Sequence, residues 1–236
     1  ALVLGGAQVS LPQSLRDGFR VAGLSHALAA SGFHLSVLLG SALACTRSFA
    51  APWRIAAGSG SMALLLALAG AQASVVRAVL MGAAALLIGE SGHRSRQLGV
   101  LVITLVVMLL ANPAWGRSIG FQLSAAATAG LLISAAPLEQ RLVQCLPQPL
   151  DRLAPALAIA LAALFWTLPL QLLHFGAAPL YAVFSNLLAA PLLAPLTLAA
   201  MGLAVMVLLI PAELSSSLLP WLIWPVQQLS LLLITL

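Results

Sequence analysis

The sequence predicts an all-α protein: a polytopic transmembrane bundle of about eight spans, with some helices broken or kinked. Three observations predict it. Of 236 residues, 62% are hydrophobic and 6% charged, and mean hydropathy is +1.10, whereas an ordinary soluble domain is about 25% charged. The polar skin that a soluble fold of this size requires cannot be built from so few charges. Roughly eight stretches approach the ~20 apolar residues of a spanning helix. The polar connections between them are short, so sequential helices should pack antiparallel into a compact bundle. The same composition excludes a soluble globular enzyme, a disordered chain and a DNA-binding transcription factor.

In chain order, the expected spans are 21–46, 53–70, 73–90, 97–112, 118–135, 153–174, 180–209 and 217–236. The clearest are 97–112 and 153–174, which are almost wholly apolar. The segment 53–70 is diluted by Gly58, Gly60 and Gly70. The segment 180–209 is too long for one straight span. Pro191 and Pro195 lie four apart inside it and predict a kink or a break into two half-helices. Residues 91–96 and 113–117 read as turns, with Asn112-Pro113 as a helix stop. The polar stretch 137–152 reads as one interfacial helix ending at Pro147.

All 10 basic residues are arginines, against 5 acids. Without a lysine there is no Walker A loop, which needs that ammonium on its phosphates. Cys45 and Cys145 sit in no CxxC or Cys/His spacing and read as small membrane residues, so neither a metal nor a cofactor is expected. The chain starts without Met inside one apolar stretch and stops inside another. It reads as an excerpt of a longer protein, a single membrane domain over 1–236. Counting arginines on alternate sides puts Arg47, Arg54, Arg94, Arg96, Arg141 and Arg152 together, against Arg16, Arg20 and Arg117. The positive-inside rule makes the first group cytoplasmic and both ends of the chain extracytoplasmic. Trp53, Trp115, Trp221 and Trp224 fall near span ends, where interface anchors belong.

Polar groups inside the spans are the candidates for function. Arg77 lies about one turn into an apolar segment, and a charge at a helix centre costs about 2.5–3.5 kcal/mol. Two readings stand open: its head snorkels to the interface, or it faces a ligand inside the bundle. No acid lies near a span centre, which disfavours a proton- or sodium-coupled carrier and suits the passage of an anion. The stretch Gly23–Ser36 concentrates His26, Ser31, Gly32 and His34. His26 and His34 are separated by about 80° around a helix. Three readings compete: close helix packing on small residues, a wet cavity, or a Ser31–His34 nucleophile–base pair of an intramembrane serine hydrolase. Gln122, Ser124, Gln171, His174 and Asn186 cluster at span ends. A lone amide there acts as interhelical glue or as a cavity wall, and Asn186 stays undecided between the two.

These residues carry a resemblance. Gly23-Leu24-Ser25-His26 through Ser31-Gly32-Phe33-His34 resembles the GLSHLLAISGLH signature of ComEC-type competence proteins. Ser74 through Met81 resembles the family's S-x-x-R-A-x-x-M, with Arg77 as the arginine. Asn112-Pro113 followed by Gly120-Phe121-Gln122-Leu123-Ser124 resembles NP…GFQLS. Leu168-Pro169, Phe175-Gly176, Asn186 and Pro191 resemble LP…FG…N…P. The pieces occur in the family's order over about residues 20–200. Departures are Ala27 and Ala30 for larger residues, Phe33 for leucine, and Ala125 for phenylalanine.

The resemblance implies a channel of the cytoplasmic (inner) membrane that passes single-stranded DNA during natural transformation. It also implies an external DNA receptor and a cytoplasmic motor ATPase as partners, alongside the lipid bilayer. Larger family members carry an OB-like domain and a metallo-β-lactamase-like domain. No HxHxDH cluster occurs here, so no enzyme activity is expected of this chain. Arg77, His26, Ser31, Gly32, His34, Gln122, Ser124 and Asn186 are the expected DNA-path residues. Gly23, Asn112, Pro113, Gly120, Phe121, Pro169 and Pro191 are expected to hold the helices. A small-anion transporter with Arg77 as its anchor is the remaining alternative.

Overall fold

The computed structural model describes residues 32–90, 96–176 and 182–209, all of it helices and their connections. Helix α1 is Gly32–Thr46, α2 Ala51–Ala69, α3 Ala73–Glu90 and α4 Gln97–Ala111. Then follow α5 Ile119–Gly130, α6 Ala136–Cys145, α7 Ala154–Phe175 and α8 Ala182–Leu209. The expected spans 53–70, 73–90, 97–112 and 153–174 coincide with α2, α3, α4 and α7 to within two residues. Expected residues 21–31 and the span 217–236 lie outside the described residues.

Local chemistry sets the ends. Pro52 sits in the first turn of α2, where a missing N–H costs nothing. Gly70 closes that helix at φ 77°, a backbone region that disfavours a side chain. After α4, Asn112 leaves helical geometry, and its Oδ1 accepts from the Ala114 N–H at 3.1 Å. Pro113 then enters a 3-10 turn, Pro113–Arg117, so the expected helix stop is present. Gly176, at φ 65°, caps α7 with its N–H on the Leu172 carbonyl.

Two expectations about breaks need correction. No loop separates 118–135 from the interfacial segment: α5 continues through a π-turn, Leu131–Ala135, into α6. A wider i→i+5 turn just before Pro137 relieves the i→i−4 bond that proline cannot donate. Helix α6 ends at Cys145, two residues short of the expected Pro147. Helix α8 does not divide at Pro191 and Pro195 but runs unbroken over its 28 residues. A proline inside a helix removes one ladder bond and crowds the carbonyl four residues back, which can bend the helix without ending it.

The core joins α1, α2, α3 and α8 through Leu35, Leu65, Leu68, Val75, Leu86 and Met201. Glycine permits close approach at Gly58, where a Cβ would stand 2.7 Å from Leu86 Cδ2. A second group packs α5 and α6 on α7. There Ala154, Ala158 and Ala162 form a small-residue seam. Gly130 faces Trp166, whose Nε1–H donates to Ser134 Oγ at 2.9 Å within the π-turn. Contacts of α3 and α4 with α5, and of α8 with α1 and α7, join the two groups.

Outward lie Val102, Ile103, Val106, Leu110, Phe165 and Leu173, a surface that only lipid or another apolar partner would cover. Two segments among the described residues, Ile119–Cys145 and Leu150–Phe175, are long and apolar enough to cross a membrane. The apolar helices Gly32–Thr46, Ala73–Gly89 and Gln97–Ala111 are shorter.

Candidate functional site

Alternation of packed helices brings the α2–α3 turn, the Pro113–Arg117 turn and the end of α7 to one end of the bundle. Arg77, Gln122, Ser124, Gln171 and His174 lie towards that end. Arg77, one turn into α3, is only 5% exposed. Its head does not reach the surface, which goes against the snorkelling alternative. Arg77 Nε donates to Ser124 Oγ on α5 at 2.9 Å, and Nη1 donates to Met81 Sδ one turn along α3 at 3.3 Å. On the α1 side, a Cβ added at Gly32 would stand 3.4 Å from Nη2. The guanidinium therefore bridges three helices, and its hydrogen-bond partners among the described residues are neutral. Hydroxyl and thioether acceptors orient a cation without cancelling its charge. The acids Glu139 and Asp151 belong to α6 and the α6–α7 connection, towards the other end.

Gln122 is the second knot. Its Nε2 donates to the Gly116 carbonyl at 2.8 Å, and its Oε1 lies 2.9 Å from His174 Nε2. With the amide oriented this way, His174 donates from Nε2. One side chain thus ties the Pro113–Arg117 turn, α5 and α7 together. On α7, Gln171 Nε2 donates to Thr167 Oγ1 at 2.8 Å, one turn before His174.

A cleft of about 280 Å³ opens between the two turns, lined by Gln72, Ser74, Trp115, Ser118 and Gly120 with Ala71 and Ala73. Helices α3 and α5 both begin at it, presenting the partly positive ends of their dipoles. Ser74 precedes Arg77 by one turn on α3, and Gly120 precedes Ser124 by one turn on α5. The cleft therefore lies directly outward of the Arg77–Ser124 pair.

Of the other expected residues, His34 is buried in α1, with the Phe33 ring edge-on at 5.9 Å. Phe121 is buried against Ala73 and Met108. Asn112 and Pro113 shape the turn, Gly120 lines the cleft, and Pro169 lies inside α7. His26, Ser31 and Gly23 lie outside the described residues, as do the side chains of Asn186 and Pro191. Sequence reasoning missed the cleft: Gln72 and Ser118 drew no attention, and Trp115 read only as an interface anchor. A tryptophan between a helix stop and a helix start was the available signal. Cys45 and Cys145 stand exposed at the last turns of α1 and α6.

The family model described as "Competence protein" matches residues 2–236. The chain belongs to the competence protein family. No curated protein and no solved structure matches it. Membership supports a role in competence, the uptake of DNA. Together with the two long apolar segments it points to a membrane protein. In this competence protein, motif pieces far apart in sequence meet in space. The arginine and methionine of the S-x-x-R-A-x-x-M stretch and the serine of GFQLS form one hydrogen-bonded group across 47 residues of chain.

Proposed function

We propose that this chain is the membrane core of a channel that passes single-stranded DNA across the cytoplasmic membrane during transformation. In this reading about eight helices span the bilayer, the arginine-rich end faces the cytoplasm and both chain ends lie outside. The observation that carries the reading is Arg77: a buried cation, held by neutral partners, at an end of the bundle without a described acid. A single strand brings one negative charge per nucleotide and favours a path with cationic and neutral donors. Arg77 meets phosphates near the outer mouth. Gly32, His34, Gln122 and Ser124 belong to the wall, with His26, Ser31 and Asn186 as further members. An external receptor delivers the strand, and a cytoplasmic motor ATPase supplies the energy. The chain itself is not an enzyme in this reading.

Arg77→Ala tests it: transformation should fall for all DNA sequences alike while the protein still inserts at its usual level. Normal transformation at normal protein levels retires the role of Arg77. The same buried cation also favours a small-anion transporter. Liposome flux separates the two, because a DNA channel passes an oligothymidylate and a carrier passes only inorganic anions. A fluorophosphonate probe addresses the serine hydrolase, since labelling lost in Ser31→Ala would establish that enzyme.

A further inference from the structure

We infer that the cleft between the α2–α3 turn and the Pro113–Arg117 turn seats one nucleobase of the entering strand, stacked on Trp115. The inference rests on the single-stranded DNA reading above. Trp115 is set differently from the exposed Trp53. Trp53, at the start of α2, is 67% exposed, whereas Trp115 is half-buried, packed against the Ala73–Met108–Phe121 cluster, and forms a wall of the cleft. An indole held from behind is a rigid stacking platform, and every base has a face to offer it. The remaining lining is neutral and mixed. Gln72 is held at the rim by its Nε2 donating to the Ala69 carbonyl at 3.2 Å, and Ser74 and Ser118 bring hydroxyls. A hydroxyl such as that of Ser118 can either donate or accept, so such a wall meets the edges of any base without selecting one.

Size and place agree with this occupant. A volume of about 280 Å³ is at the small end for ligand pockets, which start near 300 Å³, and suits a single planar ring system. One helical turn, about 5.4 Å, separates the lining residues Ser74 and Gly120 from Arg77 and Ser124. A base in the cleft therefore leaves its phosphate between the amino ends of α3 and α5 and the buried guanidinium.

The test uses the purified full chain in nanodiscs and two labelled strands of equal length, oligothymidylate and an abasic phosphodiester, read by fluorescence anisotropy. The wild type should bind the base-bearing strand roughly fivefold tighter or more. Trp115→Ala should abolish that preference and leave abasic binding and its salt dependence unchanged, while Trp115→Phe keeps part of it. Gly120→Leu places bulk in the cleft while keeping the Trp115 indole, and the Cβ itself is accommodated, meeting only Ser118 Oγ at 3.8 Å. It should abolish the preference too. Equal binding of both strands by the wild type, or a preference that survives both Trp115→Ala and Gly120→Leu, overturns the base seat and leaves the DNA reading standing. Arg77→Gln should weaken both strands alike. If the wild type binds neither strand, the DNA reading and the base seat fall together.

Discussion

Two settings of arginine in this bundle contrast. At one end Arg47, Arg96, Arg141 and Arg152 stand exposed beside helix ends, and a hydrated charge there costs little. At the other end Arg117 is exposed in its turn as well, but Arg77 has turned inward and is held by Ser124 and Met81. An exposed arginine at a span end biases which side of the bilayer a loop occupies. A buried one whose partners among the described residues are all neutral retains a field for something else to neutralise. Removing it should therefore hurt function more than stability, the reverse of the usual result for a buried residue.

The largest expected effect breaks the comparison directly. Arg77→Met keeps the volume and discards the charge. Transformation should fall by about 10- to 100-fold, the worth of one charge-assisted contact, while the thermal midpoint of the purified protein holds or rises. A lower midpoint with normal transformation would make Arg77 a structural residue. Next, Gly32→Leu drives a side chain into the space beside Nη2, where even a Cβ sits at 3.4 Å. Overpacking costs about 1–3 kcal/mol, so both uptake and melting temperature should drop. Ser124→Ala removes one acceptor from the guanidinium and should reduce uptake by less than Arg77→Met, with Ser124→Thr restoring it. At the opposite end, Arg141→Gln should change stability by less than ~0.5 kcal/mol and leave uptake per inserted molecule unchanged.

A labelling experiment sharpens the contrast without any substitution. Cys45 and Cys145 are both exposed at the arginine-rich end. An impermeant maleimide should reach them in inverted vesicles and not in intact cells. Labelling in intact cells would invert the proposed topology.

Much of the scaffold was readable from residue order. The apolar stretches marked α2, α3, α4 and α7 closely because segment hydropathy and a stop such as Asn112-Pro113 are local properties. The errors fell at prolines. Pro191 and Pro195 were expected to kink or break a helix, and it is not broken there, while Pro137 was expected to lie in a segment apart from the preceding span. Whether a proline breaks a helix depends on whether neighbouring turns absorb the lost bond, and that is set by the fold around it. The cleft at Trp115 was missed for a similar reason, since an anchor and a cleft wall have the same sequence flanks.

Composition and the order of apolar stretches were enough to point to a helical membrane protein and to mark Arg77 as costly. They left the direction of its side chain open. Snorkelling and burial depend on what lies beside the helix, and the residue that decides it, Ser124, is 47 positions away on another helix. Gln122 and His174, 52 apart, make the same point. Hydrophobicity adds up along a segment and survives in the sequence, whereas a hydrogen bond between helices exists only once packing has chosen the neighbours.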